Sequence, residues 1–107
     1  MRAADLTPEL LDEVAARFKA LGQPVRLRIL SALRDGELPV NDLVSITALG
    51  QANVSKHLQL LYLLGLVRRR SDGPHVYYAL ADADIFRMCD IMCSRVEKQR
   101  GARHRRR

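Results

Sequence analysis

Apolar residues in the first half of the chain recur three and four positions apart, the spacing that lines one face of an α-helix. This pattern predicts a first helix that begins at Thr7, its N-cap, and ends at Gly22. A second helix is predicted to begin at Pro24 and end at Gly36, and Pro39 is predicted to open a short third helix, "VNDLVSIT". The buried side of the second helix is predicted to consist of Leu27, Ile29, Leu30 and Leu33.

The second half of the chain changes its period. A fourth helix is predicted over residues 51 to 64, with Gly65 as its terminal glycine. The β-prone runs "LVRRRS" and "HVYYAL", joined by residues 72 to 74, predict a hairpin. A last helix is predicted from Asp82, its N-cap, to about Gln99. The fold class is therefore mainly α with a β-hairpin wing, a winged helix-turn-helix in the order of four helices, a hairpin and a fifth helix.

Size and composition allow one domain, predicted to span residues 1 to 99. The chain has 107 residues, of which 48% are apolar, and chains of this size often gain stability by dimerising. It contains neither an apolar run long enough for a membrane span nor the apolar stretch of a signal peptide. Its two cysteines have a helical spacing and form no disulfide framework. We therefore expect a protein of the reducing cytoplasm, away from membranes.

The net charge of +6 is concentrated at the C-terminus. Five arginines follow Gln99, and without them thirteen basic residues face twelve acidic ones. Any nucleic-acid surface of the folded part must therefore be local. The segment from residue 100 to 107 lacks apolar periodicity and is expected to be a disordered basic tail, which either touches phosphates or is merely solvated.

The fourth helix has an apolar and a polar side. Val54, Leu58 and Leu61 fall on one side and can hold the helix against its neighbours. The remaining surface carries amide, ammonium and hydroxyl groups, which can bond base edges and phosphates in the major groove. The alternative is a solvated amphipathic helix. The candidate DNA contacts in this helix are Gln51, Asn53, Ser55, Lys56, His57 and Gln59.

The predicted hairpin adds positive charge beside this helix. Strand alternation places Arg68 and Arg70 on one face and Arg69 on the other. Two arginines on one face, with His75 nearby, suit the phosphate backbone or a narrow minor groove. The alternative is a solvated strand edge that discourages pairing with other chains.

Three segments together resemble a known family: "ALGQPVRLRILSAL", "VSKHLQLLYLLGLVRRR" and "HVYYAL". They are similar to the ArsR/SmtB family of bacterial winged-helix repressors, over about residues 10 to 99. The resemblance implies a homodimer, paired through its first and last helices, that binds a palindromic double-stranded DNA operator until an effector releases it. Gly50 stands where the family often has a serine N-cap.

The metal-binding positions of this family can be compared with the sequence. Pro39 and Asn41 occupy the places of the arsenical-type cysteine pair in the third helix. Arg95 and Lys98 occupy the places of the later zinc ligands in the last helix, and cations do not replace neutral imidazoles around a metal ion. The second helix lacks the cysteine that persulfide-sensing relatives use. These three types of sensing site are therefore not expected.

Cys89 and Cys93 remain as candidates for a sensing site. They lie four positions apart, within the apolar stripe expected to pack at a dimer interface. Thiols at this spacing have β-carbons about 5–6 Å apart and can bracket a soft metal or metalloid ion, or they can respond to an oxidant or persulfide. The alternative is that both cysteines are small apolar packing residues.

Two other classes of function were compared with a DNA-binding regulator. An enzyme is not expected, because the three histidines lie in separate predicted elements and the sequence has no glycine-rich phosphate loop. A winged helix that binds proteins is favoured slightly by the leucine-rich "LQLLYLLGL", whose outer leucines need a covering surface. The polar first half of the fourth helix and the basic wing favour DNA.

Overall fold

The computed structural model describes residues 2 to 105 and follows the predicted order of elements. Within these residues, five α-helices and a three-stranded antiparallel sheet confirm the winged helix-turn-helix. A short 3₁₀ helix, Ala3–Asp5, precedes them. The helices are α1 Pro8–Leu21, α2 Pro24–Ala32, α3 Val40–Thr47, α4 Gln51–Leu63 and α5 Ala83–Arg105; the strands are β1 Leu38–Pro39, β2 Val67–Asp72 and β3 His75–Leu80.

The predicted N-caps are present at both ends of the domain. The hydroxyl of Thr7 accepts a hydrogen bond from the backbone N–H of Leu10 at 3.1 Å, and Pro8 occupies the first helical turn. At the start of α5, the carboxylate of Asp82 accepts the backbone N–H of Asp84 at 2.8 Å. These side chains satisfy N–H groups that have no partner within the helix, which fixes where each helix begins.

Two glycines allow the chain to reverse after α4 and at the tip of the wing. Gly65 has φ of 74°, the left-handed conformation in which many helices end. Gly73 has φ of 60° at the first position of the two-residue turn between Asp72 and His75. With Pro74 following, this is the conformation of a type II′ hairpin turn.

The sheet contains one strand that the sequence did not predict. Leu38 and Pro39 pair with Tyr78 and Tyr77, so the strand order is β1-β3-β2. A two-residue strand is too short to show alternation, which explains why the pattern missed it. Because β1 leads directly into α3, it fastens the wing to the helix-turn-helix unit.

The core lies between α2, α3, α4 and the base of the wing. The three predicted inward residues of α4, namely Val54, Leu58 and Leu61, are all 0% exposed. The second helix ends at Ala32, with Leu33 as its C-cap, and not at Gly36 as predicted. Of its predicted buried residues, the prediction is correct for Ile29, Leu30 and Leu33 and wrong for Leu27, which is 41% exposed. Leu27 faces the groove between α1 and α5 rather than the core, and periodicity alone could not separate the two directions.

The leucine-rich end of α4 is only partly covered within the chain. Leu60 is half-buried, whereas Leu63 is 73% exposed. Tyr62, between them in sequence, lies under the guanidinium of Arg69 from the wing.

The last helix extends further than predicted. It continues past Gln99 to Arg105, so the disorder expected from residue 100 is wrong for residues 100 to 105, while residues 106 and 107 lie outside the described residues. Arginine, alanine, lysine and glutamine are strong helix formers, and a single Gly101 costs only about 1 kcal/mol relative to alanine. The domain limits of 1 to 99 remain a prediction. None of the helices within residues 2 to 105 is long and apolar enough to cross a membrane.

Candidate nucleic-acid interface

The fourth helix has a fully buried apolar side, and its polar residues lie on the remaining surface. Val54 and Leu58 anchor it, and Gly50 precedes it without a side-chain hydrogen bond to the helix start, as the glycine at this position implied. The predicted DNA contacts in this helix differ in solvent exposure. His57 is half-buried; the exposed ones are Gln51, Asn53, Ser55, Lys56 and Gln59.

The turn before α4 is held by Thr47 and Ala48. The Thr47 hydroxyl donates to the carbonyl of Leu43 at 2.8 Å and accepts the backbone N–H of Leu49 at 3.4 Å. Ala48 adopts a left-handed conformation, with φ of 58°. This turn sets the angle between α3 and α4, and therefore the direction in which the polar side of α4 faces.

His57 differs from its neighbours because a residue of α2 holds it. Its Nδ1 accepts a hydrogen bond from Nε of Arg26 at 3.2 Å. The pKa of His57 is lowered from its ordinary value, first by desolvation and then by the positive charges of Arg26 and Lys56. The imidazole is therefore neutral at neutral pH and cannot serve there as a cation for phosphates.

Arg70 of the wing is paired within the chain. Its guanidinium donates from Nε to both carboxylate oxygens of Glu37, at 3.1 and 2.9 Å, and lies 4.6 Å above the ring of Tyr77. This hydrogen bond lowers the pKa of Glu37 and raises that of Arg70. Glu37 thus holds one of the two arginines predicted to meet phosphate.

The other basic residues of the wing are arranged differently. Arg68 is exposed and lies opposite Ala79 in the register, whereas Arg69 lies on the other face, 4.1 Å above the ring of Tyr62. His75 is exposed at the end of the hairpin. Strand alternation predicted the separation of Arg69 from Arg68 and Arg70; it could not predict that Arg69 would tie the wing to α4.

Three residues of the interface escaped sequence reasoning: Arg26, Glu37 and Tyr62. Each acts on a partner in another element, and His57 and Arg70 are 31 and 33 positions from theirs. Helix and strand periodicity report which face a residue occupies and say nothing about its distant neighbours.

Cys89 and Cys93 lie away from α4, on α5. They line an apolar cavity of about 520 Å³ with Phe18 of α1, Leu27 of α2 and Met92 of α5. Cys89 is half-buried and Cys93 exposed. The pKa of Cys89 is raised by desolvation and by the charge of Asp90, so this thiol stays protonated at neutral pH. Within residues 2 to 105, no group of three or more histidine, cysteine or acidic side chains is placed to hold a metal ion.

A contact next to the cysteines connects α5 to the helix-turn-helix unit. Arg34, just after α2, forms an ion pair with Asp90 at 3.3 Å and lies 4.2 Å above the ring of Phe86. Asp90 is adjacent to Cys89 in sequence, and its negative charge contributes to the raised pKa of that thiol.

This fold, a recognition helix supported by a basic wing, defines a winged helix-turn-helix DNA-binding regulator. Residues 23–69 match the family described as "Bacterial regulatory protein, arsR family". The HTH-type transcriptional regulator NmtR of Mycobacterium tuberculosis (strain ATCC 25618 / H37Rv) is 38% identical over 88 residues, which is 82% of this chain and 73% of that protein. The chain therefore belongs to the arsR family. It is a DNA-binding transcriptional regulator and not an enzyme.

This chain is also similar to a second named regulator and to a solved structure. A cadmium resistance transcriptional regulatory protein CadC homolog of Staphylococcus aureus is 39% identical over 82 residues, covering 76% of this chain and 68% of that protein. The NMR structure of the homodimeric winged helix-turn-helix DNA-binding domain Mb0332 from Mycobacterium bovis superposes with a TM-score of 0.78 at 32% identity. That match covers 90% of this chain and 92% of the other.

Proposed function

We propose that this regulator is a cytoplasmic, homodimeric repressor that binds a palindromic operator through α4 and the wing. The observation that carries the proposal is the division of α4: its inner side is 0% exposed at Val54, Leu58 and Leu61, and five polar candidates on its remaining surface are exposed. Exposed Arg68 provides positive charge beside this surface. Base contacts then come from α4 and phosphate contacts from the wing.

The dimer is supported by an apolar face that the single chain leaves open. Phe18 of α1 is 58% exposed, and Met92 and Val96 of α5 are 65% and 45% exposed. A second copy of the chain covers this face in the proposed assembly, and the similar Mycobacterium bovis domain is described as homodimeric. A two-fold axis then presents two copies of α4 to half-sites one helical turn of DNA apart, about 34–36 Å.

DNA reading is tested by operator affinity over a range of salt concentrations, beside affinity for unrelated DNA. Asn53→Ala and Gln59→Ala are expected to weaken operator binding by about fivefold to a hundredfold each and to leave unrelated DNA unaffected. Arg68→Gln is expected to weaken both and to reduce the salt slope by about one. Ser94→Ala, on exposed α5, is the control. Equal binding of operator and unrelated DNA by all variants would contradict the proposal.

The effector part of the proposal assigns Cys89 and Cys93 to a soft metal or metalloid ion. Both thiols line one cavity, at a spacing that soft ions accept. Two sulfurs do not complete a site, and the described residues offer no third ligand in a cluster. The ion therefore requires the thiol pair of the second copy as well. The relative named for cadmium resistance agrees with a soft cation.

Oxidants and persulfides suit Cys89 less well than a metal ion does. They react with thiolates, and the raised pKa of Cys89 keeps its thiol protonated. A metal ion must displace this proton, so its affinity is expected to rise with pH until the thiol ionises.

A second candidate is that the cysteines only pack. It is favoured by their position among Met88, Met92 and Val96 on the apolar side of α5. The repressor would then respond to something other than thiol chemistry.

One titration separates these candidates. Operator affinity of the reduced protein is measured with zinc, cadmium, arsenite or a persulfide donor, beside a Cys89→Ser/Cys93→Ser variant. Release of the native protein by cadmium or arsenite, with the variant unaffected, supports the ion site. Release by the persulfide alone would assign the pair to redox sensing. If no agent acts and the variant only unfolds more easily, the cysteines are packing residues.

A further inference from the structure

The side chain of Arg26 joins three helices at the back of α4. Its Nε–H donates to Nδ1 of His57 on α4 at 3.2 Å. Its Nη1–H donates to the backbone carbonyl of Ala20, near the end of α1, at 3.4 Å. Both contacts are partly buried. Arg26 therefore ties the proposed reading helix to a fixed point outside the helix-turn-helix unit.

The contact with Arg26 decides which nitrogen of His57 carries the proton. Nδ1 accepts a hydrogen bond, so in the neutral ring the proton is on Nε2. In the part of the chain that the structure describes, no buried side-chain nitrogen or oxygen lacks a partner. Because the hydrogen bond of His57 is made by Nδ1, an Nε2–H without a partner is accordingly not fully buried and can reach an acceptor outside the chain.

Desolvation, and then the neighbouring positive charges, keep the His57 ring neutral. The charged groups that act on His57 are Arg26 from α2 and Lys56 from its own helix, and both are positive. Desolvation acts in the same direction and is the largest cause of the lowered pKa. His57 thus remains a directional donor through the neutral pH range instead of a titrating cation.

We infer that Arg26 is a positioning residue for DNA reading, which holds His57 so that its Nε2–H meets an acceptor on the operator. Guanine O6 and N7 and thymine O4 are such acceptors in the major groove. Arg26 acts through His57, and the inference rests on the proposed use of α4 in that groove. It adds a residue of α2 to the reading machinery.

The first test follows the titration of His57 by NMR in the full-length protein without DNA, with His57→Asn identifying the signal. In the native protein the midpoint is expected below 6.5, the ordinary value. Arg26→Gln removes a positive charge and a hydrogen bond, so the midpoint is expected to rise. Arg28→Gln, an exposed arginine two positions along the same helix, is the matched control and is expected to leave it unchanged.

The second test measures operator affinity of the same variants. Arg26→Gln and His57→Asn are each expected to weaken operator binding by about threefold to tenfold, the contribution of one hydrogen bond. Because the two residues act as a unit, the double variant is expected to bind no more weakly than either single one. Arg28→Gln is expected to change operator and unrelated DNA alike. Should Arg26→Gln fail to fold, Arg26→Lys retains the charge but lacks Nε–H, and it is expected to give the same affinity loss.

Three outcomes would overturn the inference. An unmoved His57 midpoint in Arg26→Gln would show that the bridge does not control the ring. Additive losses in the double variant would show that Arg26 acts independently of His57. A shifted midpoint with full operator affinity in both His57→Asn and Asn53→Ala would leave the bridge intact and refute DNA reading by α4.

Discussion

Leu58 and Leu63 share a helix and a residue type but have opposite surroundings. Leu58 is 0% exposed in the core and Leu63 is 73% exposed. Leu58→Ala is expected to lower the free energy of unfolding by about 2–5 kcal/mol, because it removes buried methyl groups and leaves a cavity. Leu63→Ala is expected to change it by under about 0.5 kcal/mol. Chemical denaturation of both variants measures the difference, and equal losses would contradict the burial of α4.

Glu37 determines how much charge the wing offers to DNA. It holds Arg70 through hydrogen bonds from two guanidinium nitrogens, Nε at 3.1 and 2.9 Å and Nη2 at 2.5 Å. Glu37→Gln removes the carboxylate charge and is expected to tighten binding to any DNA sequence and to steepen the salt dependence by about one phosphate contact. Salt titrations of DNA affinity measure this effect. In the background of Arg70→Gln the same change at Glu37 is expected to have less effect, and an equal effect there would contradict the pairing.

The direction of the Glu37 pKa fixes the pH range of this pair. Since Arg70 lowers the pKa of Glu37 below 4.5, the pair is fully present above that value and is lost only as the pH falls through the lowered pKa. Operator binding between pH 6 and 8 is therefore expected to be independent of Glu37 titration.

At the scale of elements, the length of α5 depends on residues around Gly101. Glycine within a helix costs about 1 kcal/mol relative to alanine, and proline costs about 3 kcal/mol. Gly101→Ala is expected to increase amide protection in residues 100 to 105, and Gly101→Pro to abolish it. Hydrogen exchange measures both changes. If neither variant alters protection, the C-terminal turns of α5 are not helical in solution.

At the scale of the whole molecule, we expect the same substitution to have different effects on dimerisation at two neighbouring residues on opposite sides of α5. Met92 and Ile91 are both apolar and are 65% and 70% exposed. Met92 lines the apolar groove with Phe18, whereas Ile91 lies with Asp90, Ser94 and Lys98 on the polar side. Met92→Asp is expected to separate the proposed dimer, because it buries an unpaired charge, and Ile91→Asp is expected to leave it intact. Sedimentation at several concentrations measures both, and a monomeric Ile91→Asp would place the interface elsewhere.

The sequence by itself determined the elements and their order. Thr7 and Asp82 begin their helices where predicted, and Val54 and Leu58 face the core where predicted. These properties depend on neighbours within one or two turns of chain, where capping and periodicity act. The segments that resemble the family were also sufficient to indicate a DNA-binding regulator, as the comparisons confirmed.

Only the tertiary structure decided which of these residues meet. It brought Arg26 to His57 and Glu37 to Arg70, it placed Leu27 in the groove instead of the core, and it added β1 to the wing. Each of these outcomes depends on how helices cross and strands pair across more than thirty positions of chain. The pattern along the sequence predicts the face of the element on which a residue lies. Which residue it contacts there depends on how the helices cross and the strands pair.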